Sequence, residues 1–346
     1  MTFKTRQIHL LRRPEGFARP SDFTLVEVAL PELEPGQVLV RNLWMSIDPY
    51  MRRSMSSEPT DLEPWPLGRA LDGPSVGRVI ATRNADFTVG DLVESMSGWQ
   101  EHFVSNGGTF VPYLSPNDSL ARRNASGAQP RDYVSLLGVA ALTAYRGMVC
   151  LARAAAGETA VISSGAGTVG SIACQIAKIK GLRVVSSAGT TEKVRWLQSV
   201  AHVDHAFNYR DRSIAEALAQ ACPKGIDLVL ENASPEHLSA CLPLMNDLRQ
   251  VLIAGFVSTY STDGKLRLEN FEFALDRFLT IQSYRFMDSL NVYDQFVKDM
   301  LQWRASGQLT LPEVVYEGLE HAPEALCALF TKGRIGKTLV HLAAEF

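Results

Sequence analysis

Hydrophobic and polar positions along this 346-residue chain change rhythm near residue 130. Before that point, short β-like runs (23–28, 37–45, 76–81 and 91–95) are punctuated by turns at Pro35-Gly36, Ala85-Asp86 and Val89-Gly90. They predict an antiparallel, partly barrel-like β domain. From Tyr133 onward, helical and strand patterns alternate. Helices are expected over 136–152, 192–200, 214–221 (capped by Ser213), 235–245 and 291–305. Strands are expected at 206–209, 226–230, 249–255 and 281–284. This alternation implies an α/β domain with a doubly wound parallel sheet. The tail, from about Leu309, returns to turns and a last strand at 337–342 that rejoins the first domain. The expected division is a β domain of residues 1–130 and 307–346, with an α/β domain of 131–306 inserted into it.

The most informative stretch lies in the inserted part. Ala160, Val161 and Ile162 form a short apolar run that reads as a buried parallel strand. Gly165-Ala166-Gly167-Thr168-Val169-Gly170 follows at once, a full G-x-G-x-x-G. Ile172, Ala173, Ile176, Ala177 and Ile179 then mark one helix face, Gly181 stands at the expected C-cap, and a second strand runs over 182–185. Strand, glycine turn, helix and strand is the context of a Rossmann dinucleotide fingerprint. The first glycine allows the tight turn, the second a close backbone approach to pyrophosphate, and the third close helix–strand packing. An NAD site wants a carboxylate at the end of the second strand. This chain offers Ser186-Ser187-Ala188-Gly189, with Lys193 beyond; its nearest acid, Glu192, sits in the first turn of the next helix. Room and positive charge for a 2′-phosphate favour NADP(H).

Composition narrows the picture without redirecting it. The net charge is -3, and lysines and arginines are scattered in nothing longer than pairs, so no nucleic-acid surface is expected. No apolar run has membrane-span length, and the N-terminus lacks the uninterrupted apolar core of a signal peptide. A soluble, cytoplasmic protein is expected. Five scattered cysteines include no C-x-x-C pair, so inert thiols are expected rather than disulfides or a zinc site. The seven histidines show no ligand spacing, and His202 and His205 read as surface residues.

The layout resembles the medium-chain dehydrogenase/reductase architecture, a GroES-like antiparallel β domain with a Rossmann domain. Trp44-Met45-Ser46-Ile47-Asp48-Pro49-Tyr50-Met51-Arg52 resembles the S-V-D-P-Y-M-R segment of a zinc-independent branch. That branch holds leukotriene B4 dehydrogenases, prostaglandin reductases and curcumin-type reductases. Gly98-Trp99-Gln100-Glu101, residues 138–145, Phe207-Asn208-Tyr209, Glu231-Asn232 and residues 254–260 are similar to further motifs of that branch. The resemblance implies a pyrophosphate site at Gly165, Gly167, Thr168, Val169 and Gly170, and a 2′-phosphate site at Lys193 and Tyr209. Asn232 and the backbone of Ala254, Gly255, Phe256, Val257 and Ser258 would run toward the nicotinamide. Tyr284, Arg285 and Phe286 would follow the strand ending near the reacting face. The family's G-x-N-x-G-K is here Lys332-Gly333-Arg334-Ile335-Gly336-Lys337, so Arg334, which cannot accept a hydrogen bond, replaces the cofactor-contacting Asn. Its D-N-V-G-G is here Glu231-Asn232-Ala233-Ser234-Pro235, which bears on the loop after Asn232. A homodimer through the nucleotide domain is implied as well.

Zinc-dependent relatives place a Cys near Ser46–Asp48 and a His-Glu pair near Gly68. This chain has Gly68-Arg69-Ala70 and no cysteine before Cys150, so that donor set cannot be assembled there. The expected reaction is therefore reduction of a carbon–carbon double bond already polarised by a carbonyl. An α,β-unsaturated ketone or aldehyde is the small-molecule partner. Tyr260 is the candidate donor to the developing enolate oxygen, and Tyr50 a candidate pocket residue. Alternatives stay open: a loop tyrosine for Tyr260, a packing role for Tyr50, and solvated positions for Lys193 and Tyr209. A quinone reductase or a non-catalytic NADPH-binding protein would keep the same cofactor residues. The substrate is expected to be chosen by loops 54–66 and 259–270.

Overall fold

The computed structural model describes residues 3–57, 63–109, 119–262, 266–331 and 333–344. Residues 58–62 and 263–265, within the loops expected to choose the substrate, and Lys332 lie outside the described residues. The chain forms two compact units: Met1–Gly138 with Glu313–Lys332 and Thr338–Phe346, and Val139–Pro312 with Gly333–Lys337. The strip Gly333–Lys337 thus belongs to the second unit, whereas the sequence reading placed all of 307–346 in the first.

The first unit begins with an antiparallel hairpin of β1 (Lys4–Leu10) and β2 (Phe23–Ala29). Strand β1 carries no clear alternation in the sequence, because its buried positions are Thr5, Ile8 and Leu10. The spine is β3 (Val38–Ile47), buried at every position from Leu43 to Ile47. Helix α1 (Tyr50–Ser54) follows it. Strand β4 (Ser75–Thr82) pairs with β3, and β5 (Leu92–Ser95) with β4. Then β6 (His102–Ser105) pairs with β3; β7 (Gly108–Thr109) and β8 (Ser119–Arg122) form a short parallel pair, and β8 joins β5. Register shifts in β3 near Asn42 let this buried amide donate to the Ser97 and Gln100 carbonyls at 2.7 and 2.8 Å, which ties down the Gly98-Trp99-Gln100-Glu101 turn. Trp99 is fully buried, stacked on Phe23 at 5.8 Å and edge-on to Trp65 at 5.4 Å.

The second unit opens with α2 (Val139–Tyr145) and a π-helical turn, Arg146–Leu151, where one continuous helix was expected. The cause is Tyr284. Its hydroxyl donates to the Thr143 carbonyl at 3.2 Å, and a Cβ on Gly147 would stand 2.5 Å from it. The sheet follows: β9 (Thr159–Ile162), α3 (Thr168–Ile179), β10 (Arg183–Ala188), α4 (Thr191–Ser199), β11 (His205–Asn208), α5 (Ile214–Ala221) and β12 (Ile226–Glu231). It continues through α6 (Pro235–Cys241), β13 (Met245–Ile253), α7 (Glu272–Asp276), β14 (Thr280–Ser283) and α8 (Tyr293–Ala305). Helix α6 ends before the expected 245 because Pro243 cannot continue its hydrogen bonding. Ser213 caps α5, and Gly181 turns the chain after α3 with φ +77°. All six strands are parallel, in the order β11-β10-β9-β12-β13-β14. This is a Rossmann sheet, with its switch point between β9 and β12. The chain then completes the first unit with β15 (Glu313–Glu317), α9 (Ala322–Thr331) and β16 (Lys337–His341), which pairs antiparallel with β3.

Candidate active site

Crevices outside the carboxyl ends of parallel strands, at the switch point, are where such sheets bind ligands. Here β9 ends at Ile162, and the next five residues turn the chain into α3. Ser164 takes a left-handed φ of +49°, and the Gly167 N–H donates to its carbonyl at 3.0 Å. The three glycines differ in purpose. A Cβ on Gly165 would lie 1.9 Å from Ser186 Oγ, and one on Gly170 2.3 Å from the Ser164 carbonyl oxygen. On Gly167 the nearest heavy atoms would be those of Ser164, at 3.3 and 3.4 Å. No side chain caps α3, so its first N–H groups are left for an anion approaching Gly167, Thr168 and Val169. The orphan donors and this open glycine fit a pyrophosphate. Gly170→Ala should destabilise the protein by about 1–3 kcal/mol through overpacking against main chain. Gly167→Ala should leave the urea midpoint nearly unchanged and weaken dinucleotide binding. Paired denaturation and fluorescence titrations check both.

The strip that carries Arg334 runs along this loop. The Gly336 N–H donates to the Ala166 carbonyl at 2.9 Å, and Thr168 Oγ1 donates to the Gly336 carbonyl at 3.0 Å. At the other end, a Cβ on Gly333 would be 3.8 Å from Lys193 Nζ and 3.9 Å from Thr190 Cγ2. Arg334 lies between these two points. Lys193 stands in the first turn of α4, capped by Thr190. Burial, and next the charge of Arg210, lower its pKa, while Glu192 raises it. The Tyr209 N–H donates to the Ala188 carbonyl at 3.1 Å, and its hydroxyl lies over Gly189, 2.6 Å from where a Cβ would be. Lys193, through its N–H to Thr190, and Tyr209, over Gly189, thus flank residues 188–190, and no carboxylate ends β10.

At the ends of β12 and β13 a fully buried carboxylate organises the loops. Glu231 Oε1 accepts from Ser163 Oγ (2.8 Å), Ala233 N (2.7 Å) and Ser234 N (2.9 Å), and Oε2 is 2.9 Å from His237 Nδ1. Ser163 Oγ in turn accepts from Asn232 N at 2.8 Å, and the Asn232 amide donates to the Ser163 carbonyl. The departure to Ser234-Pro235 is thereby explained: Ser234 caps α6, and Pro235 fills its first turn. The Ala254 N–H donates to the Glu231 carbonyl at 2.8 Å and the Ser258 N–H to the Ala233 carbonyl at 3.0 Å, which stitches the two loops together. Half-buried Tyr260 folds back so that its hydroxyl lies over Gly255, 2.8 Å from a Cβ position there.

Two expected side chains, those of Tyr284 and Arg285, turn elsewhere, and Phe256, expected to offer its backbone, buries its ring. Tyr284 is buried against α2 as described, Phe256 belongs to the sheet's apolar core, and exposed Arg285 points to Asp288 at 3.9 Å. Only the main chain of Tyr284 and Phe256 remains for a ligand, since packing has claimed both rings. Phe286 opens the 3-10 turn Phe286–Val292, and Val257 that of Val257–Ser261. Ser163, Ser164, Glu231 and His237, which organise these loops, are not candidates on sequence alone. Glu231 alone carried a signal, its place in the Glu231-Asn232 motif. His205 is a β11 residue, half-buried with its Nε2 enclosed, rather than a loop surface residue. Cys174, Cys222 and Cys241 are buried free thiols, with burial raising the pKa of each.

In the first unit, Tyr50 is half-buried against the core formed by Met45, Met51 and Trp65. The motif's Arg52 is buried and structural, donating to the Gly16 carbonyl at 2.6 and 2.9 Å and to the Pro14 carbonyl at 3.1 Å. Ser46 Oγ donates to Asp48, and among the described residues no three His, Cys, Asp or Glu side chains gather as a metal site. A cavity of about 510 Å3 is lined by Gln7, Glu63, Arg69, Asp72 and Gln100, among others. Burial, and next the charge of Glu63, push the Asp72 carboxyl up to about 7 from 3.8. The unfolded chain loses this proton first, so stability falls as pH rises between those values. Asp72→Asn should melt above the parent at pH 8, and thermal scans should show the gap closing toward pH 4.

Two family models match: "N-terminal domain of oxidoreductase" over residues 6–112 and "zinc-binding dehydrogenase" over 168–303. The NADPH-dependent curcumin reductase of Escherichia coli is 32% identical over 99% of this chain and 98% of its own length. Prostaglandin reductase 1 of Bos taurus is 34% identical over 94% of this chain and 95% of its own. Among solved structures, CurA of Vibrio vulnificus in complex with NADPH superposes with a TM-score of 0.89 at 29% identity, covering 98% of this chain and 100% of that one.

Proposed function

Because the chain belongs to the medium-chain dehydrogenase/reductases, in the NADP-dependent branch of the curcumin and prostaglandin reductases, we propose that it reduces the carbon–carbon double bond of α,β-unsaturated ketones and aldehydes with NADPH, independently of zinc. The observation that carries the reading is the Tyr260 hydroxyl, held over Gly255 at the carboxyl edge of the Rossmann sheet. When bound, NADPH supplies the hydride to the β-carbon. The N-terminus of α3 would hold the pyrophosphate, and Lys193 with Tyr209 would hold the 2′-phosphate. Glu231 fixes Asn232 and the loop after β13. Tyr260 donates a hydrogen bond from Oη to the carbonyl oxygen as it gains enolate charge, and a proton from water then reaches the α-carbon to give the saturated carbonyl. No Lewis acid is needed for an alkene already polarised in this way.

The test is NADPH oxidation with a medium-chain enone, an enal, a simple quinone and no acceptor, with NADH as control. A saturated ketone from the enone, with NADPH preferred, is expected. Turnover of the quinone alone would move the protein to that class, and tight NADPH binding without turnover would make it a non-catalytic binder.

A cytoplasmic homodimer goes with this reading. Among the described residues no helix is long and apolar enough to cross a membrane, and the thiols are free. Strand β14 pairs with β13 alone among the described residues, and near it Leu248, Leu275 and Phe278 are 76%, 70% and 71% exposed. Leu248 and Phe278 hold left-handed φ values of +59° and +53°, a strained way to display apolar side chains to water. Leu248→Asp with Phe278→Asp should turn a dimer into a monomer in sedimentation runs.

A further inference from the structure

The Thr168 hydroxyl has one proton, and main chain takes it: Oγ1 donates to the Gly336 carbonyl at 3.0 Å. A pyrophosphate oxygen can only accept, so a hydroxyl committed in this way has no proton to offer it. The Thr168 N–H stays available in the first turn of α3, while the side chain serves the strip 333–337.

That strip is gripped twice. The Gly336 N–H donates to the Ala166 carbonyl at 2.9 Å, and Gly167 and Gly336 form a parallel bridge. The Lys337 N–H donates to the Pro312 carbonyl at 2.8 Å. A Cβ on Gly336, whose φ is +81°, would stand 2.0 Å from that same oxygen. Segment 310–312 hangs on α3 as well. The Thr310 N–H donates to Oε1 of buried Gln175 at 2.8 Å, and Gln175 Nε2 donates to the Thr310 carbonyl at 2.9 Å. Gln175 lies about two turns beyond Thr168 on that helix. Helix α3 therefore holds the strip directly through Thr168 and indirectly through Gln175 and segment 310–312. From Gly336 the strip runs back through Ile335 and Arg334 to Gly333, where a Cβ would be 3.8 Å from Lys193 Nζ.

Resting on the reading of NADPH as cofactor, we propose that Thr168 is a positioning residue, whose hydroxyl holds the strip 333–337 against the glycine loop and so shapes the cleft from the pyrophosphate turn toward Lys193. The resemblance assigns Thr168 to the pyrophosphate itself; in this chain only its N–H serves that end.

Thr168→Val keeps the shape of the side chain and removes the O–H, whereas Thr168→Ser keeps the O–H. In the ligand-free protein, hydrogen exchange in the peptide containing Gly336 should run about fivefold faster in Thr168→Val, the worth of one neutral hydrogen bond. Thr168→Ser should exchange at the parental rate. By fluorescence titration NADPH should bind Thr168→Val about fivefold more weakly, and Thr168→Ser as it binds the parent. Parental exchange in ligand-free Thr168→Val overturns the proposal whatever the affinity does, since a hydroxyl that touched only phosphate would leave the free protein unchanged. Faster exchange with parental NADPH affinity overturns the positioning role too. A parent protein that does not bind NADPH overturns the cofactor reading and the proposal with it; the exchange measurement, which needs no ligand, tells that failure from a failure of the Thr168 contact.

Discussion

Tyr260→Phe is expected to lower kcat/KM for an enone by about 100-fold, the typical worth of one donor to a developing oxyanion, while NADPH affinity stays within twofold of the parent, about 0.4 kcal/mol. The hydroxyl sits over Gly255, which has no side chain to displace it, and the 3-10 turn Val257–Ser261 holds the ring half-buried. Removing one oxygen leaves that packing intact, so the loss should fall on kcat rather than KM. Steady-state kinetics with one enone, beside NADPH fluorescence titration, decide the matter. A variant with parental kcat would return Tyr260 to the status of a loop anchor.

Glu231→Ala should cost about 3–5 kcal/mol of stability, because it leaves several buried donors unsatisfied at about 1–3 kcal/mol each. The carboxylate is completely buried, with four donors converging on it: Ser163, two backbone N–H groups and His237. Their hydrogen bonds cannot be replaced by water. His237→Phe should cost less, because the carboxylate keeps its other three donors. Urea midpoints rank the two variants, and equal midpoints would remove Glu231 from the centre of the network. Glu231→Ala should also weaken NADPH binding, since Ser163 and the loops carrying Asn232 and Ala254 lose their common anchor.

The sequence by itself determined what contiguous residues can express. The glycine turn between Ile162 and Thr168, the apolar face of α3, the Ser213 cap and the strand–helix alternation are local patterns, governed by side-chain spacing and by backbone groups only a few residues apart. The NADP preference was equally legible, because Ser186 to Lys193 lie in one short stretch at a strand end. Tertiary structure decided whatever joins distant segments. Glu231 reaches Ser163 across 68 residues, and Thr168 reaches Gly336 across 168. The π-helical turn at Arg146–Leu151 answers to Tyr284, and Tyr284 in turn gives its hydroxyl to that helix rather than to a ligand. A carboxylate or tyrosine takes its role from the donors and acceptors that burial brings to it. Those partners follow from packing between remote segments, which no local periodicity encodes.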